Sequence, residues 1–142
     1  MEQGDAATRA ELAVRNLIAR VAQVADGGDL EESRELYTED AMSELPGSAP
    51  RRGRDDILDD ARQRRDEGVT GPGSATRHVI TTVVVTVEDP AEETGMATAD
   101  SCWLFFGNTT TAPVLLGMGR YHDTVRHDDG AWRIARRQIT LG

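Results

Sequence analysis

The chain has 142 residues, a formal net charge of −9, 38% apolar and 29% charged residues. Such a balance excludes a disordered segment, is long enough for one core without disulfide staples, and offers no basic field for nucleic acid. No apolar run is long enough to span a membrane, and the polar, acidic start, Met1 to Thr8, lacks the basic and apolar parts of a secretory signal.

The single cysteine, Cys102, rules out an internal disulfide and fits a reducing cytoplasm. All sixteen basic residues are Arg, so Schiff-base chemistry, which needs a lysine amine, is absent. Phosphate loops, dinucleotide glycine patterns, cysteine pairs and a G-x-S-x-G motif are missing too. His122 and His127 stand five apart beside acidic residues without the usual ligand spacing, so no metal site is expected.

Residues 1–7 read as a disordered tail on a single domain, 1–142. Leu12, Val14, Leu17, Ile18, Val21 and Ala25 recur at helical spacing and predict a first helix over 7–25. Gly27-Gly28 stops it. Asp29-Leu-Glu-Glu32 reads as a capping box opening a short second helix that carries Leu36 and Tyr37. Thr38-Glu39-Asp40 makes a turn, and 41–45 a short strand. A Pro- and Gly-rich loop, 45–53, leads to a charged third helix, 54–67, whose buried edge is Ile57, Leu58 and Ala61.

From Thr76 the pattern is strands only: 76–88, 95–106, 114–126 and 131–141. Asp128-Asp129-Gly130 forms the last tight turn. Helices first and a meander of long strands afterwards is the α+β pattern. His78, Ile80, Thr82 and Val84 alternate with Val79, Thr81, Val83 and Val85, so both faces of the first long strand are apolar. Two apolar faces need two covers. The helices supply one, and a second copy of the chain, a homodimer through the outer sheet face, is expected to supply the other.

Two residues break local rules. Asp26 puts a carboxylate at the negative end of the first helix, which is unfavourable by a few tenths to about 1 kcal/mol. His78 directly precedes a strand of Val, Ile and Thr. Each has a plain structural reading, a solvated turn for Asp26 and a polar strand start for His78. Together they describe a carboxylate that fixes the tautomer of an imidazole and makes its other nitrogen a general base.

The stretches "ADGGDLEESRELYTEDA", "RGRDDI", "TRH" and "GRYHDTVRHDDGAWRIARR", in that order, resemble the SnoaL-like proteins of the nuclear transport factor 2-like superfamily, over roughly Ala10 to Gln138. The resemblance implies a cone-shaped, curved antiparallel sheet wrapped by three N-terminal helices, with a pocket at the open end. The chain looks closest to the branch of scytalone dehydratase, the bile-acid dehydratase and hexachlorocyclohexane dehydrochlorinase, cofactor-free lyases that use a His–Asp pair. Aligned by motif, that pair falls on His78 and Asp26.

Some polar partners of those enzymes are replaced here. Val21 stands where they have a tyrosine or lysine, and Phe105 and Leu141 where the bile-acid enzyme has an aspartate and an arginine. If Phe105 faces inward, strand alternation adds Trp103 to the pocket wall and turns Cys102, Leu104 and Phe106 outward. Leu116 and Met118 are expected beside them. Arg120 is either a substrate anchor or one half of an ion pair.

The expected function is a small cofactor-independent lyase, isomerase or cyclase. His78 would act as base and Asp26 would orient it, on a hydrophobic small molecule of polyketide- or steroid-like type. That ligand is expected to lie against Val21, Trp103, Phe105, Leu116, Met118 and Arg120. The alternative is a non-catalytic ligand-binding or accessory module of the same fold, because a fold alone does not fix an activity.

Overall fold

The computed structural model describes residues 2–142. Helix α1 is Glu2–Gly27, α2 is the short Ser33–Leu36, entered through a 3-10 turn at Leu30–Glu32, and α3 is Arg54–Asp66. The strands are β1 Tyr37–Glu44, β2 Arg51–Arg52, β3 Arg77–Asp89, β4 Met96–Gly107, β5 Val114–Asp128 and β6 Ala131–Leu141. Of the expected tail, Met1 lies outside the described residues. The rest is already helical, an extension invisible to apolar periodicity because no residue from Gly4 to Arg9 is buried.

Six strands form one sheet in the order β2-β1-β6-β5-β4-β3. Sequence reading expects an antiparallel sheet, but β1 runs parallel to β6, pairing Tyr37 with Ile134 and Ser43 with Arg137, so the sheet is mixed. A parallel neighbour needs a long crossover, and α3 with the β3–β5 meander provides it. Tyr37 opens β1 instead of closing the second helix. Asp29 caps the 3-10 turn that leads into that helix, through Glu31 N–H at 3.0 Å. Glu32, the expected second half of the capping box, pairs instead with Arg20.

One-residue register slips in β3 between Thr81 and Val84, in β5 around Leu116 and in β6 around Ala135 bend the sheet into its curve. Thr82 takes the left-handed φ of 51° that the β3 bulge requires. The slip resets the alternation. His78 and Ile80 share the inner face with Val83, Val85 and Val87, whereas Val84 turns outward and is 61% exposed. Simple parity puts Val84 beside His78, and the inserted residue is why that count fails.

Against the inner face α1 lays Ala10, Val14, Leu17, Ile18, Val21 and Val24, all buried with Val85, Ala97, Ala99, Val125 and Ile134. Leu12 falls off this stripe and is exposed. Leu58 of α3 is fully enclosed. Asp129 and Gly130, at φ 48° and 83°, make the tight β5–β6 turn with the primed geometry that suits strand twist. No helix among the described residues is long and apolar enough to cross a membrane.

Candidate active site

Helix α1 ends at the site, and Arg65 of α3 holds that end. Its Nη2 donates to the carbonyls of Val24 at 2.7 Å, Gly28 at 2.8 Å and Ala25 at 3.4 Å. All three lie at the C-terminal end of the helix or just past it, where carbonyls run short of intrahelical partners. The guanidinium also brings a positive charge to the negative helix end, which offsets the unfavourable position of Asp26. Gly71, at φ 91°, passes against the Arg65 stem where a Cβ would collide.

Asp26 then reaches the first turn of β3 with both oxygens. Oδ2 accepts the backbone N–H of His78 at 2.9 Å, and Oδ1 contacts Nδ1 of the same residue at 2.7 Å. A carboxylate only accepts, so the hydrogen lies on Nδ1, and in the neutral imidazole the lone pair is then at Nε2. Both side chains are 15% exposed. Phe105, the cross-strand partner of His78, covers the ring with centroids 4.6 Å apart. Nε2 has no hydrogen-bond partner among the described residues.

The imidazole lies at the boundary of two spaces. Outside is a cleft lined by Gln23, Asp26, Thr76 and Arg77, and inside is a cavity of about 130 Å³; His78, Ala22 and Ile80 line both. The inner wall is apolar where α1 contributes Ile18, Val21 and Ala25 and α3 contributes Ile57 and Ala61. Its remaining wall is polar. Tyr37 and Ser43 of β1, Tyr121 of β5, Arg137 of β6 and the Arg51, Asp60, Arg64 group complete the lining.

Under that polar wall lies a buried ion pair. Arg137 Nε and Nη2 bond Asp123 Oδ1 and Oδ2 at 2.7 and 3.0 Å, and the guanidinium carbon sits 3.8 Å from the Tyr121 ring centroid. Burial works against the Arg137 charge, but Asp123 more than offsets it, and the group stays protonated beyond its ordinary range. Burial pushes the phenols of Tyr37 and Tyr121 upward, so both remain protonated donors. Asp60 accepts from Arg51 at 2.9 Å and lies 3.2 Å from Arg64.

The structure sorts the expected binding residues. Val21 and His78 line the cavity, with Asp26 directly behind the imidazole. Phe105 and Trp103 share their face but stand beside the cavity: Phe105 covers His78, and Trp103 stacks with Tyr121 at 6.2 Å. Trp103 occupies the space above Gly117 and Gly119, where side chains would collide with its ring or crowd it. Met118 and Arg120 pair with Leu104 and Cys102 on the opposite face, so neither touches the cavity. Leu116 is the bulge residue of β5, folded over Gly107 and 59% exposed.

Alternation through the two glycines explains the outward pair: the inward positions of this part of β5 are Gly117, Gly119 and Tyr121. The polar wall itself was missed. Tyr121, Arg137 and Asp123 read as ordinary strand residues and Tyr37 as part of the short second helix, and the available signal was that Arg137 and Ile139 share a parity on β6. The two other histidines have local partners. His122 bonds Asp100 at 2.7 Å, and His127 meets Trp132 edge-on.

Comparison with known proteins supports this architecture. The chain is 27% identical to a protein of unknown function from Mycobacterium tuberculosis, covering 92% of this chain and 75% of that one with a TM-score of 0.75. An NTF2-like protein with a cystatin-like fold from Novosphingobium aromaticivorans is also 27% identical, over 92% and 80%, with a TM-score of 0.73. A protein assigned as a scytalone dehydratase from the same organism shares the fold at 20% identity, over 98% and 88%, with a TM-score of 0.76. Curated proteins gave no significant match. The sequence profile of the SnoaL-like domain spans residues 6–138, and with the nuclear transport factor 2-like fold around it the chain belongs to the SnoaL-like family.

Proposed function

We propose that the chain is a small enzyme acting without a cofactor, of lyase, isomerase or cyclase type, in which His78 removes a proton from a hydrophobic substrate. One observation carries the reading: both oxygens of Asp26 are spent on His78, one on its backbone N–H and one on Nδ1. That double hold fixes the tautomer and orientation and leaves Nε2 as the acceptor. The likeness to a protein assigned as a scytalone dehydratase favours proton abstraction followed by elimination. The inner cavity, about 130 Å³, takes about one ring, and the cleft of about 520 Å³ on the other side of His78 leaves room for the rest of a polyketide- or steroid-like substrate.

Exchange of carbon-bound hydrogen in deuterium oxide tests this without a known product. Wild type should accelerate exchange in a panel of small cyclic carbon acids, and His78→Ala should lose at least ~10²-fold. Exchange at equal rates in the two proteins would reject His78 as the base. A second reading, a non-catalytic ligand-binding module, is favoured by the apolar Val21 in the cavity wall. Tight binding of panel compounds with no exchange would select it.

The outer sheet face exposes Val79, Val84 and Met118. A second copy covering it completes the proposed assembly. Sedimentation as a monomer at micromolar concentration would rule that out.

A further inference from the structure

Away from His78 the cavity ends in groups that the base does not use. Tyr37 and Tyr121 are 8% and 9% exposed and line it from β1 and β5. Neither phenol oxygen bonds to any of the described residues, and neither is among the polar atoms sealed inside the protein. Both residues line the cavity with hydroxyls that no described residue engages. A buried donor left without an acceptor is costly, and here two converge on one space.

Their surroundings select the acceptor. Arg137 lies beneath the Tyr121 ring and is neutralised by Asp123. At the rim, Arg51 and Arg64 share the single carboxylate of Asp60, so one positive charge is left over. The lining thus offers O–H donors beside the Arg51, Asp60, Arg64 group, which suits an electron-rich oxygen. The volume of about 130 Å³ is close to the roughly 150 Å³ of an engineered cavity that accepts benzene.

We propose that Tyr37 and Tyr121 form a receptor for a ligand oxygen, and that the ligand is a compound of about one ring bearing a carbonyl or phenolate oxygen. The proposal rests on reading this cavity as the substrate site with His78 at its edge. It supplies the polar partners that are absent at Val21 and Phe105, from strands on another side of the site. Because burial keeps both phenols protonated at neutral pH, they donate and do not compete as anions.

The test compares two probes of one size, 4-nitrophenolate and nitrobenzene, by calorimetric titration of wild type, Tyr37→Phe, Tyr121→Phe and the double variant. Wild type should bind the phenolate about tenfold or more tightly than nitrobenzene, the size expected of hydrogen bonds to a charged acceptor. Each Phe variant should lose most of that preference and keep its nitrobenzene affinity. Equal affinity of wild type for the two probes would overturn the proposal without any variant. So would a phenolate preference that survives in the double variant. His78→Ala should retain the preference. If hydrogen exchange proves indifferent to His78 while the phenol-dependent preference holds, the base assignment has failed and the oxygen receptor stands.

Discussion

Two His–Asp pairs in this molecule make the same bond on opposite sides of one sheet. His78 and Asp26 meet through Nδ1 and Oδ1 at 2.7 Å, and so do His122 and Asp100. The inner pair is 15% exposed on both sides, clamped by a second bond from the backbone, covered by Phe105 and open only to a cavity and a cleft. The outer pair is 46% and 64% exposed, where water and salt compete with the contact. A histidine beside a carboxylate is therefore not yet a site. What differs is the second hydrogen bond, the dry neighbour and the enclosed space.

The largest test of that contrast concerns the ion pair that underlies the inner face. Asp123→Ala leaves the Arg137 charge buried and unpaired and should cost about 3–5 kcal/mol in a denaturant titration. Asp100→Ala on the outer face should stay within about 0.5 kcal/mol. Similar losses for both would mean that the two faces are equally solvated.

Next in size is turnover. His78→Ala should reduce proton transfer at least ~10²-fold, and His122→Ala should leave it unchanged. Nitrogen NMR of the imidazole rings refines the comparison. His78 should hold one tautomer, with hydrogen on Nδ1, and Asp26→Asn should release it, whereas the exposed His122 ring should average over both.

The smallest effect is on alkaline stability. Burial raises the folded-state pKa of Tyr37 and Tyr121. An acid whose folded pKa is raised contributes stability that is full below its unfolded value, near 10, and declines as the pH rises above it. The denaturant midpoint should thus fall above about pH 10, and Tyr121→Phe should flatten that fall. An equally steep decline in the variant would remove Tyr121 as its source.

The long strands were legible from their runs of Val, Ile and Thr between turn signals, and α3 from the spacing of Ile57, Leu58 and Ala61. The His78–Asp26 pair was legible because each residue sits where its type is locally out of place. The rest was hidden for identifiable reasons. A bulge at Thr82 costs one residue and reverses the side chains that follow it up to Val87 on β3, and nothing in a Val- and Thr-rich run marks where it falls. Gly117 and Gly119 give no inward side chain to count, so Met118 and Arg120 took their place in the pattern. Arg137 and Asp123 look like surface charges until a partner strand brings them together. The cavity's polar wall was therefore the least readable part, although it contributes most of its hydrogen-bonding capacity.

The parallel pairing of β1 with β6 has a consequence for how the site comes into being. Asp26 and His78 are both present once β3 has been made, but the cavity wall joins Tyr37, 100 residues earlier in the chain, to Arg137. Contacts this distant in sequence pay the largest loop-closure entropy and form late. During synthesis both residues of the dyad thus emerge well before the last strand, which brings Arg137 to the cavity wall.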